Sequence, residues 1–220
     1  MKIGDRMYEE ILRIFEVNRN EDNSFAMEKY MKNKFKFLGI KRPLRNELQK
    51  PILKEMKELD WTLIELLWKQ DEREYQYFAI DILDKLKKNL VKEDILRIKK
   101  LIEDKSWWDT VDLLASKIVG QLCKSYPEIK DEYIKLWMKS DNIWIVRTTL
   151  LYQLKYKNDL DTNILEETIT INKDSNEFFI DKAIGWILRQ YSKVNPEWVR
   201  KFISNNSLSK LSVREGSKYI

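Results

Sequence analysis

Histidine is absent from the 220 residues of this chain, and Cys123 is its only cysteine. Without histidine, the chain can form no Ser-His or Cys-His nucleophile pair, no histidine-ligated zinc or iron site, and no imidazole acid or base. A single cysteine excludes an intrachain disulfide and a cysteine-rich zinc site, and it suits a reducing compartment. Any chemistry must therefore use carboxylates, lysine, arginine, hydroxyls or aromatic rings, and we expect neither a metal nor a cofactor.

Turn-forming residues are also scarce, since the chain has five glycines and four prolines. Those numbers are far too small for a sheet-rich protein with many hairpins. Charged residues make up 35% of the chain, and apolar residues recur at intervals of three or four, as in Ile95, Ile98, Leu101 and Ile102. This spacing is typical of amphipathic helices, and it predicts an all-α protein of about a dozen helices joined by short loops.

Long apolar runs are missing as well. No stretch approaches the roughly 18 apolar residues that span a bilayer, and no secretory leader is recognisable, so we expect a cytoplasmic protein without a membrane partner. The formal net charge is +5, which weakly favours a polyanionic partner because basic surfaces bind phosphate. A soluble protein with a charge-rich surface explains the same charge equally well.

Polar residues before the apolar runs predict where several helices begin. The candidates are Asp60, Ser106, either Asp141 or Asn142, and Asn195. Each of these side chains can accept a hydrogen bond from a backbone N–H group that has no partner in the first turn of a helix.

The helices also repeat along the chain. Similar segments end one helix and open the next, and the intervals from Trp108 to Trp144 and from Trp144 to Phe178 are both about 35 residues. A period of this length with two helices is typical of α-solenoids, and HEAT-like pairs fit best because the landmarks of tetratricopeptide repeats are absent. We therefore predict one HEAT-like repeat domain over residues 1–220, with helices of 1–58 capping helix pairs from about 60 to 220.

The second helices of these pairs carry the residues that could perform chemistry. Trp108 and Asp112 lie four residues apart, hence on one helix face. If the second helices stand side by side, Arg147 and Trp186 on the next two can join them in one concave patch. A structural explanation is also open, in which the tryptophans belong to the core and Asp112 pairs with Arg147 to join two repeats.

Four stretches of the chain resemble bacterial alkylation-repair DNA glycosylases of the AlkD type. They are YMKNKFKFLGI at 30–40, KSWWDTVD at 105–112, SDNIWIVR at 140–147 and KAIGWILR at 182–189. The resemblance covers nearly the whole chain. It implies a right-handed α-solenoid with a concave DNA-binding groove, and an enzyme that hydrolyses the N-glycosidic bond of cationic N3- and N7-alkylated purines in duplex DNA, leaving an abasic site.

The same resemblance implies roles for individual residues. Trp108, Asp112 and Trp186 are expected to form the catalytic cleft, Tyr30 to close against the strand that bears the lesion, and Arg147 to grip the DNA backbone. A short final helix is also expected, since the chain ends soon after residues 211–215.

Further basic residues are candidates for binding phosphate. Lys155, Lys182 and Arg189 are predicted on the last two second helices, where they can form a stripe along the DNA, although each can equally be a solvated surface residue. We expect the protein to act on DNA as a monomer.

Two other functions fit the same pattern. One is a HEAT-like module without catalytic activity that binds DNA or a protein partner through the groove. The other is an interaction scaffold whose aromatic groove receives a helix. Salt separates DNA binding from apolar binding, because only the former weakens steeply as salt rises.

Overall fold

The computed structural model describes residues 3–220 of the chain, with side chains from Arg6 onward. Within this range no residue forms part of a strand, and a single isolated bridge joins Lys36 to Glu72. The predicted all-α class is therefore confirmed. None of the helices in the described range is both long and apolar enough to cross a membrane.

The chain forms two compact units, one ending at Leu90 and the other running over Val91–Ile220. The helices of the first unit are α1 (Ile3–Val17), α2 (Glu21–Tyr30), α3 (Arg42–Glu55), α4 (Trp61–Lys69) and α5 (Arg73–Leu86), followed by a 3-10 turn at Lys87–Asn89. The single HEAT-like domain with a cap over 1–58 stays a prediction.

Buried aromatic and aliphatic side chains of α1, α4 and α5 form the core of the first unit. The ring of Phe15 lies 5.4 Å from that of Tyr75 and 5.6 Å from that of Phe78, and all three are buried. By contrast, α2 contributes no buried residue. Apolar burial of this kind holds amphipathic helices together.

The segment that follows α2 is fixed by a buried carboxylate. Glu74 of α5 accepts hydrogen bonds from the backbone N–H groups of Leu38, Gly39 and Ile40, at 2.9, 2.9 and 3.0 Å. Gly39 has a positive φ of 81°, and a Cβ atom there would lie 2.0 Å from the carbonyl oxygen of Asn20. Only glycine fits this close approach.

The second unit contains the other nine α-helices of the described residues. They are α6 (Asp94–Glu103), α7 (Trp108–Leu113), α8 (Gly120–Ser125), α9 (Lys135–Trp137), α10 (Ile143–Leu151), α11 (Thr162–Asn172), α12 (Phe178–Ser192), α13 (Pro196–Asn205) and α14 (Lys210–Gly216). Helical segments with π geometry at Leu114–Val119 and Lys130–Ile134 lead into α8 and α9, and a 3-10 turn spans Lys157–Asp159. The final helix, α14, has seven residues.

Three of the four predicted helix starts are confirmed. Asp60 accepts from the N–H of Leu63 at 3.2 Å, Asn142 from that of Trp144 at 2.9 Å, and Asn195 from that of Trp198 at 3.0 Å. The prediction for Ser106 is wrong, because α7 begins at Trp108. Its hydroxyl instead donates to the carbonyl of Ile102 in the preceding helix.

Three helices of the second unit, α7, α10 and α12, pack side by side in the order in which they occur in the chain. Helix α10 lies against both α7 and α12, and α12 lies against α14. Their shared core includes Val146, Leu150, Ile184, Ile187 and Leu188, all buried. The second helices of three predicted pairs are therefore neighbours, which brings residues about 35 positions apart in the chain into contact. The handedness of a solenoid and its concave groove stay predictions.

Candidate active site

A cleft of about 350 Å³ in the second unit collects most of the residues singled out in the sequence. It is lined by Trp108, Asp112, Arg147, Phe178, Phe179, Lys182, Trp186 and Arg189. These residues come from α7, α10 and α12, whose packing order makes them neighbours. One carboxylate thus faces a cleft with three cationic and four aromatic side chains.

Asp112 is the only acidic residue that lines this cleft in the described part of the chain. Its Oδ1 accepts from Nε of Arg147 at 2.7 Å and its Oδ2 accepts from Nη2 at 2.9 Å. Burial raises the pKa of Asp112 above its ordinary value, while the hydrogen bonds and charge of Arg147 lower it and Asp109 raises it further. A bidentate pair of this kind fixes the plane of the carboxylate.

Arg147 is more enclosed than a residue expected to grip DNA. Only 3% of it is exposed, and its Nη1 donates to the backbone carbonyl of Phe179. Donors on all three guanidinium nitrogens are thus directed at protein oxygens, on Asp112 and Phe179. The contact of Arg147 with the DNA backbone stays a prediction. In the structure Arg147 instead orients Asp112 through two hydrogen bonds.

The two adjacent tryptophans of α7 lie in different surroundings. Trp108 lines the cleft and is partly exposed. Trp107 is buried in an aromatic cluster, with ring centroids 5.4 Å from Trp144 and 5.0 Å from Phe179. Trp186 packs partly against the core of the second unit and also lines the cleft.

Two cleft residues received no role in the sequence interpretation. Phe178 opens α12 with 59% of its surface exposed, and Phe179 follows it with its ring 5.3 Å away. The signal for Phe178 is spacing, since Phe178, Lys182, Trp186 and Arg189 recur at intervals of four, four and three. Such intervals mark one face of a helix.

The two cations of this face on α12 share a partner from the last helix. Nζ of Lys182 donates to Oε1 of Glu215 at 2.9 Å, and Nη1 of Arg189 donates to Oε2 at 3.0 Å. Glu215 lies on α14, and no pattern in the sequence distinguishes it from the other glutamates.

Lys155 does not lie on a helix, contrary to the prediction. The chain leaves α10 after Leu151, and the side chain of Gln153 donates to the carbonyl of Asp161 and accepts from its N–H, which stabilises the turn. Lys155 lines a second pocket of about 460 Å³ in this unit, together with Lys157 and Lys193 among others. Its role in binding DNA stays a prediction.

Tyr30 belongs to the first unit, at the end of α2, and is exposed. Its predicted contact with DNA stays a prediction. Among the described residues, no group of three or more histidine, cysteine, aspartate or glutamate side chains is arranged to hold a metal ion.

Comparison with known proteins matches the chain to a protein family and to solved structures. A family model described as "DNA alkylation repair enzyme" matches residues 11–220. A solved structure described as "Predicted DNA alkylation repair enzyme from Enterococcus faecalis" is similar with a TM-score of 0.86 and 36% sequence identity, over 92% of this chain and 96% of that chain. No curated protein matches the chain. Every residue that lines the cleft lies within the range of the family model.

Proposed function

The chain belongs to the DNA alkylation repair enzyme family, and from this premise we propose that it is a DNA glycosylase. It hydrolyses the N-glycosidic bond of cationic N3- and N7-alkylated purines in duplex DNA and leaves an abasic site. The observation that carries the proposal is the cleft, in which one oriented carboxylate, Asp112, stands among aromatic rings and cations.

The residues of the cleft suit a substrate that already carries a positive charge. Hydrolysis of an ordinary glycoside needs one carboxyl group to protonate the leaving group and a second to attack or activate water. An alkylated purine leaves without protonation, because the electron pair of the broken C1′–N bond neutralises its charge. One carboxylate therefore suffices, and the absence of histidine is no obstacle.

Asp112 stabilises the positive charge that develops on the deoxyribose as this bond breaks. Arg147 holds both carboxylate oxygens, so the group is already oriented before the charge appears, which is the condition for efficient electrostatic catalysis. Each oxygen keeps lone pairs for the sugar or for a water molecule. The water oxygen bonds to C1′, and one of its protons passes through Asp112 to solvent.

The aromatic rings of the cleft complement the same charge. Trp108 and Trp186 face the cleft from α7 and α12, so they can contact the deoxyribose from two sides. An aromatic face attracts a cation by about 0.5–2 kcal/mol, most strongly where water is excluded. This attraction favours a cationic purine and the cationic transition state over a neutral nucleotide.

Binding of the duplex itself is assigned to cations that contact phosphate. Lys182 and Arg189 border the cleft, and Lys155 lies beside the neighbouring pocket of the same unit. In this proposal the helix pairs form a right-handed solenoid with a concave groove, Tyr30 contacts the strand with the lesion, and the protein acts as a monomer. Backbone contacts carry no sequence information, so little sequence preference is expected.

A second candidate function is a DNA-binding module without catalytic activity. The observation that favours it is the pair of Asp112 and Arg147, because a buried ion pair between α7 and α10 gives Asp112 a structural role without any reaction. Such a module binds duplex DNA with strong salt dependence and releases no base.

Release of free bases decides between the two. The protein is incubated with duplex DNA treated with a methylating agent, and the supernatant is analysed for 7-methylguanine and 3-methyladenine. A duplex containing hypoxanthine, which is a neutral lesion, serves as the control. The glycosylase releases the methylated bases and leaves hypoxanthine in place. No release above buffer, with salt-dependent binding intact, establishes the module instead.

A further inference from the structure

The last helix packs so closely on α12 that glycine is needed at the contact. A Cβ atom at Gly185 would lie 2.5 Å from Cβ of Glu215, and one at Gly216 would lie 3.1 Å from Cβ of Leu188. The hydroxyl of Ser212 also donates to the backbone carbonyl of Asp181, at 2.9 Å. Helix α14 is thus held along α12, the helix that carries five of the eight cleft residues.

This close approach places the carboxylate of Glu215 among several cations. Besides Lys182 and Arg189, Lys218 donates to Oε2 at 2.7 Å, and Arg214 lies 4.0 Å from Oε1. The side chain of Glu215 is only 6% exposed. Hydrogen bonds from the lysines lower the pKa of Glu215 to about 2, so it is ionised at every pH at which a protein is normally assayed.

Two of the three cations that line the cleft, Lys182 and Arg189, keep an exposed surface although Glu215 binds them. The side chain of Lys182 is 40% exposed and that of Arg189 is 26% exposed. With one negative charge against Lys182, Arg189 and Lys218, the group retains a positive charge for an anionic ligand. A cation that is already held in place loses less conformational freedom when it binds phosphate than a free side chain does.

We propose that Glu215 is a positioning residue that holds Lys182 and Arg189 towards the phosphates next to the lesion. The last helix thereby contributes to excision without contacting the reacting atoms. This inference rests on the proposed function, because the phosphates are those of the damaged duplex. A positioning role differs from a role in stability alone, because the effect of Glu215 on excision then requires Lys182 and Arg189 to be present.

A double-mutant cycle tests this dependence. Glu215→Gln is made in the natural chain and in a chain with Lys182→Met and Arg189→Met. Two quantities are measured below the melting temperature of every variant: the rate of excision in a single turnover, and the salt dependence of binding to an undamaged duplex. Glu197→Gln is the matched control, because Glu197 pairs with Arg200 on exposed surface of α13.

In the natural chain, Glu215→Gln is expected to lower the rate of excision about tenfold. The reason is that the rate falls steeply when the groups that hold the substrate, here Lys182 and Arg189, are displaced. The slope of log affinity against log salt concentration is expected to become shallower by up to about two. Each phosphate contact that Lys182 or Arg189 loses reduces the magnitude of this slope by ~0.9. In the chain without the two cations, the same substitution changes neither quantity. Glu197→Gln changes neither in the natural chain.

Two results overturn the proposal. One is an equal effect of Glu215→Gln in both backgrounds. The other is unchanged or faster excision together with a steeper salt slope, which shows that Glu215 competes with phosphate for the cations. If the glutamine variant does not fold, Glu215→Asp replaces it, because aspartate keeps the charge while its shorter side chain withdraws from Lys182 and Arg189.

Failure of the glycosylase proposal can be distinguished from failure of the positioning role of Glu215. If the natural protein releases no base, that function fails, and the cycle is then decided by the salt slope of duplex binding alone. A slope that responds to Glu215 only when Lys182 and Arg189 are present still supports the positioning role in binding.

Discussion

Asp112 and Arg147 are 35 residues apart in the chain, and they form a bidentate ion pair, with Nε–Oδ1 at 2.7 Å and Nη2–Oδ2 at 2.9 Å. The pair joins α7 to α10, and Nη1 of Arg147 extends it to the carbonyl of Phe179 on α12. One guanidinium therefore links three helices that line the cleft. Both the stability of the second unit and the orientation of its one cleft carboxylate depend on this contact.

Removal of the arginine tests the structural part of this role. Arg147→Met leaves Asp112 buried without its cation, and it is expected to lower the free energy of unfolding by about 3–5 kcal/mol. Adding Asp112→Asn to this variant removes the unpaired charge and is expected to restore part of the loss. Urea denaturation measures both values.

The matched control is Arg200→Met, because Arg200 lies on exposed surface and pairs with Glu197 of its own helix. It is expected to change stability by less than about 1 kcal/mol. Equal losses for Arg147→Met and Arg200→Met would contradict the structural importance of the buried pair.

Removal of the carboxylate charge tests the catalytic part. Asp112→Asn is expected to lower single-turnover excision by about 10²–10⁴-fold, because the charge that stabilises the developing cation is lost. Affinity for duplex DNA is expected to stay within a few-fold of the natural protein. Release of methylated bases and a binding titration measure the two quantities.

Asp174→Asn is the control for this variant, since Asp174 is exposed in the loop before α12. Asp174→Asn removes the same charge at a residue that does not line the cleft, and it should leave excision unchanged. Full activity in Asp112→Asn would show that Asp112 has a structural role only.

Acid is expected to inactivate the protein through Asp112. Burial raises the pKa of this carboxyl above its ordinary 3.8, with Arg147 acting against the shift. Only the ionised form can stabilise a cationic sugar, so excision falls as pH drops through this raised pKa and is constant above it. The fall therefore occurs at a higher pH than for an exposed aspartate.

The pH profile of single-turnover excision measures this fall, and circular dichroism at each pH establishes that the protein stays folded. The residual rate of Asp112→Asn should lack the acid fall. The same acid fall in both proteins would assign it to another group and contradict this interpretation.

The aromatic contribution is tested at Trp186. Trp186→Leu keeps an apolar side chain against the core but removes the ring, and it is expected to slow excision about 2- to 30-fold, equivalent to 0.5–2 kcal/mol of cation–π attraction. Trp186→Phe keeps a smaller aromatic face and should retain more of the rate. Single-turnover excision of 7-methylguanine measures both variants, and equal rates for leucine and phenylalanine would contradict a role for the ring face.

The all-α class and several helix starts could be predicted because they depend on local rules. Apolar spacing of three or four gives amphipathic helices, and Asp60, Asn142 and Asn195 cap them through backbone groups two or three residues away. Ser106 fits the same rule but bonds to Ile102 instead, because a serine can serve the helix before it as well as the helix after it.

The candidate site was predictable where residues share one helix face. The spacing of Trp108 and Asp112 alone makes them neighbours on α7. The repeat of about 35 residues then predicted that Arg147 and Trp186 lie in the same patch. Membership of the alkylation repair family, first indicated by the resemblance of four stretches, is supported by the match over residues 11–220.

The sequence by itself thus determined the helical class and the helix faces, and it excluded any chemistry that needs histidine. Only the tertiary structure decided that Arg147 is directed at Asp112, that Lys155 lies in a turn, and that Glu215 holds two cations of the cleft. For the ion pairs of Arg147 and Glu215, the physical reason is that contacts across more than 25 residues depend on how closely whole helices approach. At the contact of α12 with α14, that distance depends on a missing side chain, at Gly185.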